Sequence, residues 1–387
     1  EETAAGAAWP DLRLLRVPER ASLTPQLDLN TGWSRCTPET ARAFSAIGLH
    51  FGCRLQQVLG IPVGVIQAAF GGTVAEAFMS PAALSVPAFA PILRTWERFA
   101  AEYPATVEGR AAVAEERRQH LLALGQVPPP WPLEPKPADH FHRPSAVFHG
   151  MIEALIPGAV RGVLWYQGEA NGWRGHQYRE LFPALIADWR RLWARPELPF
   201  LFVQLPGFTA DWLEPDVWPE LREAQFLTAH RVPHTAMIQA IDLGDPDDLH
   251  PRRKREVGER LVLAALATVH DRPVEYSGPL YRECRAEGQR LRLFFDHTTG
   301  GLTAPSGRLS GFTAAGADRS FTPVRAILDG DTVVIDPGPH LRPEAVRYAW
   351  ANNPEISLYN GAGLPASPFR TDDWLGVTDG RVEPEAF

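Results

Sequence analysis

The chain has 387 residues, 45% hydrophobic and 22% charged, an ordinary composition for a globular protein and long enough that two domains are expected. A net charge of −8 with no long basic block argues against nucleic acid as a partner, and no apolar run approaches membrane-spanning length. Three cysteines, Cys36, Cys53 and Cys284, are scattered without metal-ligand spacing, and their odd number leaves at least one thiol unpaired within a chain.

Residues 11–17 read as a strand. A helix is expected over 38–59, started by Thr37 or Pro38, with Phe44, Ile47, Phe51, Leu55 and Val58 at helical spacing. The run 61–69 reads as a second buried strand that ends at Phe70-Gly71-Gly72-Thr73. Residues 85–124 read as amphipathic helix, and the proline-rich stretch 126–137 interrupts it, so 82–143 reads as a helical, proline-rich insertion. A helix over 145–156 leads to a strand at Gly162. Helix 177–193, strand 199–205, helix 220–230, a strand over 235–243 and helix 252–268 follow. Strands alternating with helices predict an α/β fold with a doubly wound parallel sheet over 1–270. Beyond 271 the runs shorten, at 290–295, 324–328, 332–335 and 346–350, with turns such as Asp329-Gly330-Asp331 between them. That texture predicts a C-terminal all-β domain over 271–387.

Two segments point to chemistry. Val163 to Tyr166 is β-prone and stops in a loop holding Gln167, Glu169 and Asn171, with Gly168 letting the chain turn. In open α/β sheets, ligands bind at the carboxyl ends of strands, and polar side chains converging there can hold an oxyanion and orient a substrate. The second is Asp245-Pro246-Asp247-Asp248-Leu249-His250, which follows the strand at 235. An Asp that close to a histidine can bond its Nδ1, fix its tautomer and stabilise its protonated form, the base half of a nucleophile–His–Asp system.

These residues resemble the sialate O-acetylesterases, a branch of the SGNH/GDSL hydrolases. The resemblance covers nearly the whole chain: Asp11-Leu12-Arg13-Leu14, Cys36-Thr37-Pro38-Glu39-Thr40, Phe70-Gly71-Gly72-Thr73, Gly150-Met151-Ile152, Trp165 to Asn171, Tyr178-Arg179-Glu180-Leu181-Phe182, Asp248-Leu249-His250-Pro251, Val346 to Trp350 and Leu364 to Thr371. It implies an SGNH, flavodoxin-like sheet and hydrolysis of an O-acetyl ester: a serine attacks the acetyl carbonyl, a histidine takes its proton, and loop donors stabilise the oxyanion. By resemblance His250 is the base. Its acid is Asp248, two residues before it, or Asp247, in the Asp-x-x-His pattern. Gly72 supplies a backbone oxyanion donor and Asn171 a side-chain one. Gln167 and Glu169 shape the pocket, and Glu169 either orients His250 or bonds backbone amides. No metal or cofactor is implied. The implied substrate is an O-acetylated sugar, acetylated sialic acid first. An acetylxylan-type polysaccharide is the alternative ester, and a non-catalytic carbohydrate-binding role the alternative from another class. Export to the periplasm or beyond the cell is also implied by resemblance, although no leader pattern is visible at Glu1.

The family's nucleophile lies in a Gly-Gln-Ser-Asn-Met-like block upstream of the strand matching 11–17. Here only ten residues precede that strand, and none is serine. Ser22, Ser34 and Ser45 are the first serines. Ser34 has a superficial Gly-x-Ser setting but no buried strand to aim it. The absent block would be the central strand, and its loss would leave two unpaired edges. A nicked or truncated enzyme is preferred over a degenerate one, with the serine supplied by a separate N-terminal segment or small subunit. His140 and His142 lack companions for a metal site and read as solvated surface. Arg252-Arg253-Lys254-Arg255 reads as a solvated helix face, with attraction of an anionic sugar as the sharper reading. Most of the twelve tryptophans, including Trp165, Trp189 and Trp193, read as core.

Overall fold

The computed structural model describes residues 9–384. The first residues discussed above, Glu1 to Gly6, lie outside the described range. Trp9–Arg16 forms strand β1, and Ser34–Cys36 forms β2, an antiparallel strand on its outer side. The helix expected over 38–59 divides into α1 (Pro38–Arg42) and α2 (Ala46–Leu59). Capping explains the break. Thr37 accepts from Thr40 N while Thr40 reaches back to Thr37 N, which closes a capping box on α1. Ser45 then accepts from Gly48 N and opens α2 as its N-cap, inside the span expected to be one continuous helix. Val63–Gln67 forms β3, parallel to β1, with Leu12 opposite Val63 and Arg16 opposite Gln67.

The stretch after β3 holds helices α3 (Pro81–Leu84), α4 (Ala90–Ala101) and α5 (Val107–Ala123). α4 is amphipathic as expected and buries Ile92, Trp96 and Phe99, whereas α5 buries nothing and lies on the surface. No α-helix forms over 145–156. Ser145 has φ +65°, and a π-type turn (Phe148–Ile152) and a 3-10 turn (Glu153–Leu155) follow it.

Next come β4 (Val163–Trp165), α6 (Gly175–Leu192), β5 (Phe200–Gln204), α7 (Val217–Arg231), β6 (Thr235–Gln239) and α8 (Lys254–Val269). β4, β5 and β6 are parallel neighbours in that order. The period of two along β5 sends Phe200 and Phe202 into a core with Leu181, Leu185 and Leu221 of α6 and α7. Leu201 and Val203 enter a second core with Ile238, Val257 and Leu261, which also takes Phe51 and Leu55 of α2. Helices therefore cover both faces, and all five residues of β5 are buried. The strand expected over 235–243 ends at Gln239, because Ile241–Leu243 winds into a 3-10 turn.

β3 and β4 differ from β5. Among the described residues each has one edge without a strand partner. Val63 and Leu164 both pack on the α2–α8 core, and Ile66 and Val163 both pack on the α6–α7 core. The two unpaired edges thus lie against the same two cores, and no residue of β3 is fully buried.

The last part of the chain is antiparallel. One sheet joins Arg325–Asp329, Thr332–Asp336, Arg290–Asp296 and Leu280–Glu287, and another joins Thr322–Pro323, Phe312–Ala315, Ala345–Tyr348 and Phe369–Arg370. Leu293, Val333, Ile335, Val346, Tyr348 and Phe369 share their core. Arg222 of α7, fully buried, ties this part to the parallel strands. It donates to the carbonyls of Leu205 and Pro206 at the end of β5 and of Ala351 and Asn352 beyond the antiparallel strands. Trp165 and Trp189 are core residues, and Trp193 is half-buried. No helix among the described residues is long and apolar enough to cross a membrane.

Candidate active site

The loops that leave the carboxyl ends of β3, β4 and β6 carry Gly72, Gln167 to Asn171 and His250. The middle loop is bonded to the β3 loop. Gln167 Nε2 donates to Thr73 O at 3.1 Å and to Asn171 Oδ1 at 2.6 Å. Asn171 Oδ1 accepts from Ala75 N at 2.8 Å. The β3 and β4 loops are therefore stitched together by two side chains of the Gln-Gly-Glu-x-Asn segment. Gly168 permits this packing, since a Cβ there would stand 2.4 Å from Leu221 Cδ2.

Gln167 is buried and fully engaged, because Tyr178 also donates to its Oε1 at 2.9 Å. Asn171 is 1% exposed, and its Nδ2 donates to Glu76 Oε2 at 2.9 Å. Glu76, itself inaccessible, holds the Arg174 guanidinium at 2.5 Å through its other oxygen. This buried Asn171–Glu76–Arg174 array escaped the sequence reading. Its signal was a single acid in the apolar run Val74-Ala75-Glu76-Ala77-Phe78, since a buried charge needs a partner.

Gly72 has φ +70°, a left-handed conformation that glycine adopts freely. No backbone carbonyl among the described residues takes the N–H of Gly72 or of Thr73. The Thr73 hydroxyl is buried without a hydrogen-bond partner there. His142 Nε2 lies 2.6 Å from Gly72 O. His142 is thus no solvated surface residue: burial, with Lys136 adding to it, pushes its pKa down to about 4.

His250 is exposed, between the 3-10 turn after β6 and the start of α8. Asp248 Oδ1 accepts from the backbone N of His250 at 2.8 Å, and Asp247 N donates to Asp245 Oδ1 at 3.1 Å. Both aspartates lie in this loop, and among the described residues no hydrogen bond joins either to the His250 ring. Burial raises the Glu169 carboxyl pKa, and its own backbone amide, His250, Lys254 and the Gly168 amide oppose that rise. Lys254, at the start of α8, stands 5.8 Å from the centroid of Tyr166, so the basic run 252–255 is not wholly a solvated face. Burial lowers the Lys254 pKa against the pull of Glu169 and Asp248. Gln167 and Asn171 thus bond each other and the Thr73–Ala75 stretch next to Gly72, and Glu169 lies within electrostatic range of His250.

Ser34 lies on the outer strand β2 with Oγ donating to Leu14 O at 3.1 Å, far from an elbow geometry. No cluster of three or more His, Cys, Asp or Glu able to hold a metal occurs among the described residues.

Comparison with known proteins fits this geometry. Residues 140–267, which include the β4 and β6 loops, match the family model described as carbohydrate esterase, sialic acid-specific acetylesterase. The crystal structure of XAC1771, described as a novel carbohydrate acetylesterase from Xanthomonas citri, shares 33% identity and superposes with a TM-score of 0.80 over 96% of this chain and 76% of that one. The chain belongs to the sialic acid-specific acetylesterase family of carbohydrate esterases. The sialate O-acetylesterases of rat and human are 26% and 27% identical to it, over 95% and 94% of this chain and 72% and 69% of theirs. The chemistry of this esterase family is carboxylic ester hydrolysis.

Proposed function

We propose that this acetylesterase removes O-acetyl groups from a carbohydrate, first of all from O-acetylated sialic acid, with His250 as the base and a serine from outside the described residues as the nucleophile. The observation that carries the reading is the β4 loop, bonded to the Gly72 loop through Gln167 and Asn171, with Glu169 within electrostatic range of His250. The serine Oγ attacks the acetyl carbonyl while His250 takes its proton. The N–H of Gly72 and the second amide hydrogen of Asn171 hold the oxyanion. Collapse expels the sugar hydroxyl, which receives the proton from His250. Water activated by the same base then releases acetate. Asp248 or Asp247 supports the imidazolium. The Asp248 contact with the His250 backbone favours Asp248.

The unpaired edges of β3 and β4, which pack on the same two cores, support an SGNH-type doubly wound sheet whose central parallel strand comes from a separate segment or small subunit. Such a strand would pair with both free edges and deliver its serine at the same carboxyl end as Gly72 and His250. On this reading 1–270 is the catalytic domain, 82–143 its insertion and 271–387 a β-rich domain, and the enzyme works in the periplasm or outside the cell.

The test is acetate release from O-acetylated sialic acid by the polypeptide as its organism produces it. His250→Ala should cost at least about a thousandfold in kcat without loss of fold. Near-normal turnover by that variant would remove His250 from the mechanism. Turnover of acetylated xylan in place of the sialic acid ester would replace the substrate, and acetylated-sugar binding without release would make the protein a lectin-like relative.

A further inference from the structure

The insertion reaches the β3 loop through two rings. Phe141 stacks on Phe70 with centroids 4.8 Å apart and planes at 12°, and His142 bonds Gly72 O. The residues between and around them are locked. His140 stacks against Phe141 and meets His142 edge-on at 4.8 Å, and its Nδ1 accepts from His142 N at 3.0 Å. Trp96 of α4 lies behind His140. We propose that His142 is a positioning residue for ester hydrolysis, donating Nε2–H to Gly72 O and thereby fixing the oxyanion loop.

The hydrogen-bond roles follow from chemistry. A carbonyl oxygen only accepts, so His142 Nε2 must carry the proton. Burial keeps the ring neutral at neutral pH, which leaves the Nε2–H tautomer as the working form. Anchoring Gly72 O fixes the plane of the Gly72–Thr73 peptide, so only the φ and ψ rotations of Gly72 itself stand between that fixed plane and the Gly72 N–H that serves as the oxyanion donor. The left-handed Gly72 would otherwise be a loose joint. Gln167 on Thr73 O and Asn171 on Ala75 N hold the loop from the β4 side, and His142 and Phe141 hold it from the insertion. The loop is thus clamped from two parts of the chain far apart in sequence. The inference rests on the esterase reading for its consequence but not for the bond itself.

Two variants separate the donor from the ring. His142→Phe keeps a planar ring without the donor, and His142→Gln keeps an N–H donor on a similar reach. With 4-nitrophenyl acetate and the naturally produced polypeptide, His142→Phe should lower kcat about ten- to a hundredfold with KM unchanged, as expected for a displaced oxyanion donor. His142→Gln should restore most of that loss. Unchanged kcat in His142→Phe, a rise in KM alone, or no rescue by Gln would overturn the proposal. The bond is tested apart from activity by the 15N shifts of His142. A protonated Nε2 is expected, and an Nδ1–H tautomer would overturn the proposal even in an active esterase. A wild-type protein inactive on every acetyl ester would instead overturn the esterase reading and the proposed catalytic role together, while the 15N shift would still decide the bond.

Discussion

Asn171 donates its side-chain amide to Glu76 Oε2 at 2.9 Å, across 95 positions of sequence, so the candidate oxyanion side chain is held by a carboxylate with no solvent access. Arg174, 3% exposed, is the counter-charge on the other oxygen of Glu76. The pair is a brace rather than a surplus of stability, because two desolvated charges gain little over an apolar pair yet cost much when one is lost.

Glu76→Ala should therefore destabilise the fold by about 3–5 kcal/mol, since it strands the Arg174 cation. Urea denaturation checks this. A loss within experimental error would mean that Arg174 finds water or another acceptor.

Glu169 gives a prediction in pH. Its folded pKa lies above the ordinary carboxylate value of 4.5, mainly through burial. The native state then binds more protons than the unfolded one between those two values, so this group makes stability fall as pH rises through that window. Glu169→Gln should remove that slope and leave the protein at least as stable at neutral pH, while lowering kcat by uncoupling His250. Parallel denaturation curves across pH for both proteins are the measurement; an unchanged slope would place Glu169 in contact with water.

The legibility of the chain divides by periodicity. β5 and β6, α6 and α7 were readable because the continuous apolar run of Phe200 to Val203 and the helical spacing of Tyr178, Leu181, Phe182 and Leu185 persist over several residues. The split at Ser45 was not read, although Ser45 before Gly48 was the local capping signal. The region after Ser145 failed because a left-handed residue and a π-type turn leave the same apolar composition as an α-helix. The site loops were found from their polar residue types at strand ends. The partners that orient them, Glu76, Arg174 and His142, were not found, because they lie in segments whose burial depends on tertiary contacts and leaves no period.

Arg222 joins four carbonyls of two distant segments, with no carboxylate partner in reach of a hydrogen bond among the described residues. Arg222→Met fills the space but leaves those oxygens short of donors, and should cost roughly 3–5 kcal/mol. The loss should appear as a lower denaturation midpoint together with faster proteolysis near Asn352. A midpoint equal to that of the parent would show that the carbonyls rebind water without strain.

The central claim is a serine delivered beside the unpaired edges of β3 and β4, opposite His250. Treatment of the naturally produced polypeptide with an organofluorophosphonate, with acetate release followed in parallel and the labelled peptide identified by mass spectrometry, tests it most directly. Loss of activity in step with one label is expected, on a serine outside the described residues. A label on Ser34 or any other described serine, or full turnover with every serine unlabelled, would contradict the account.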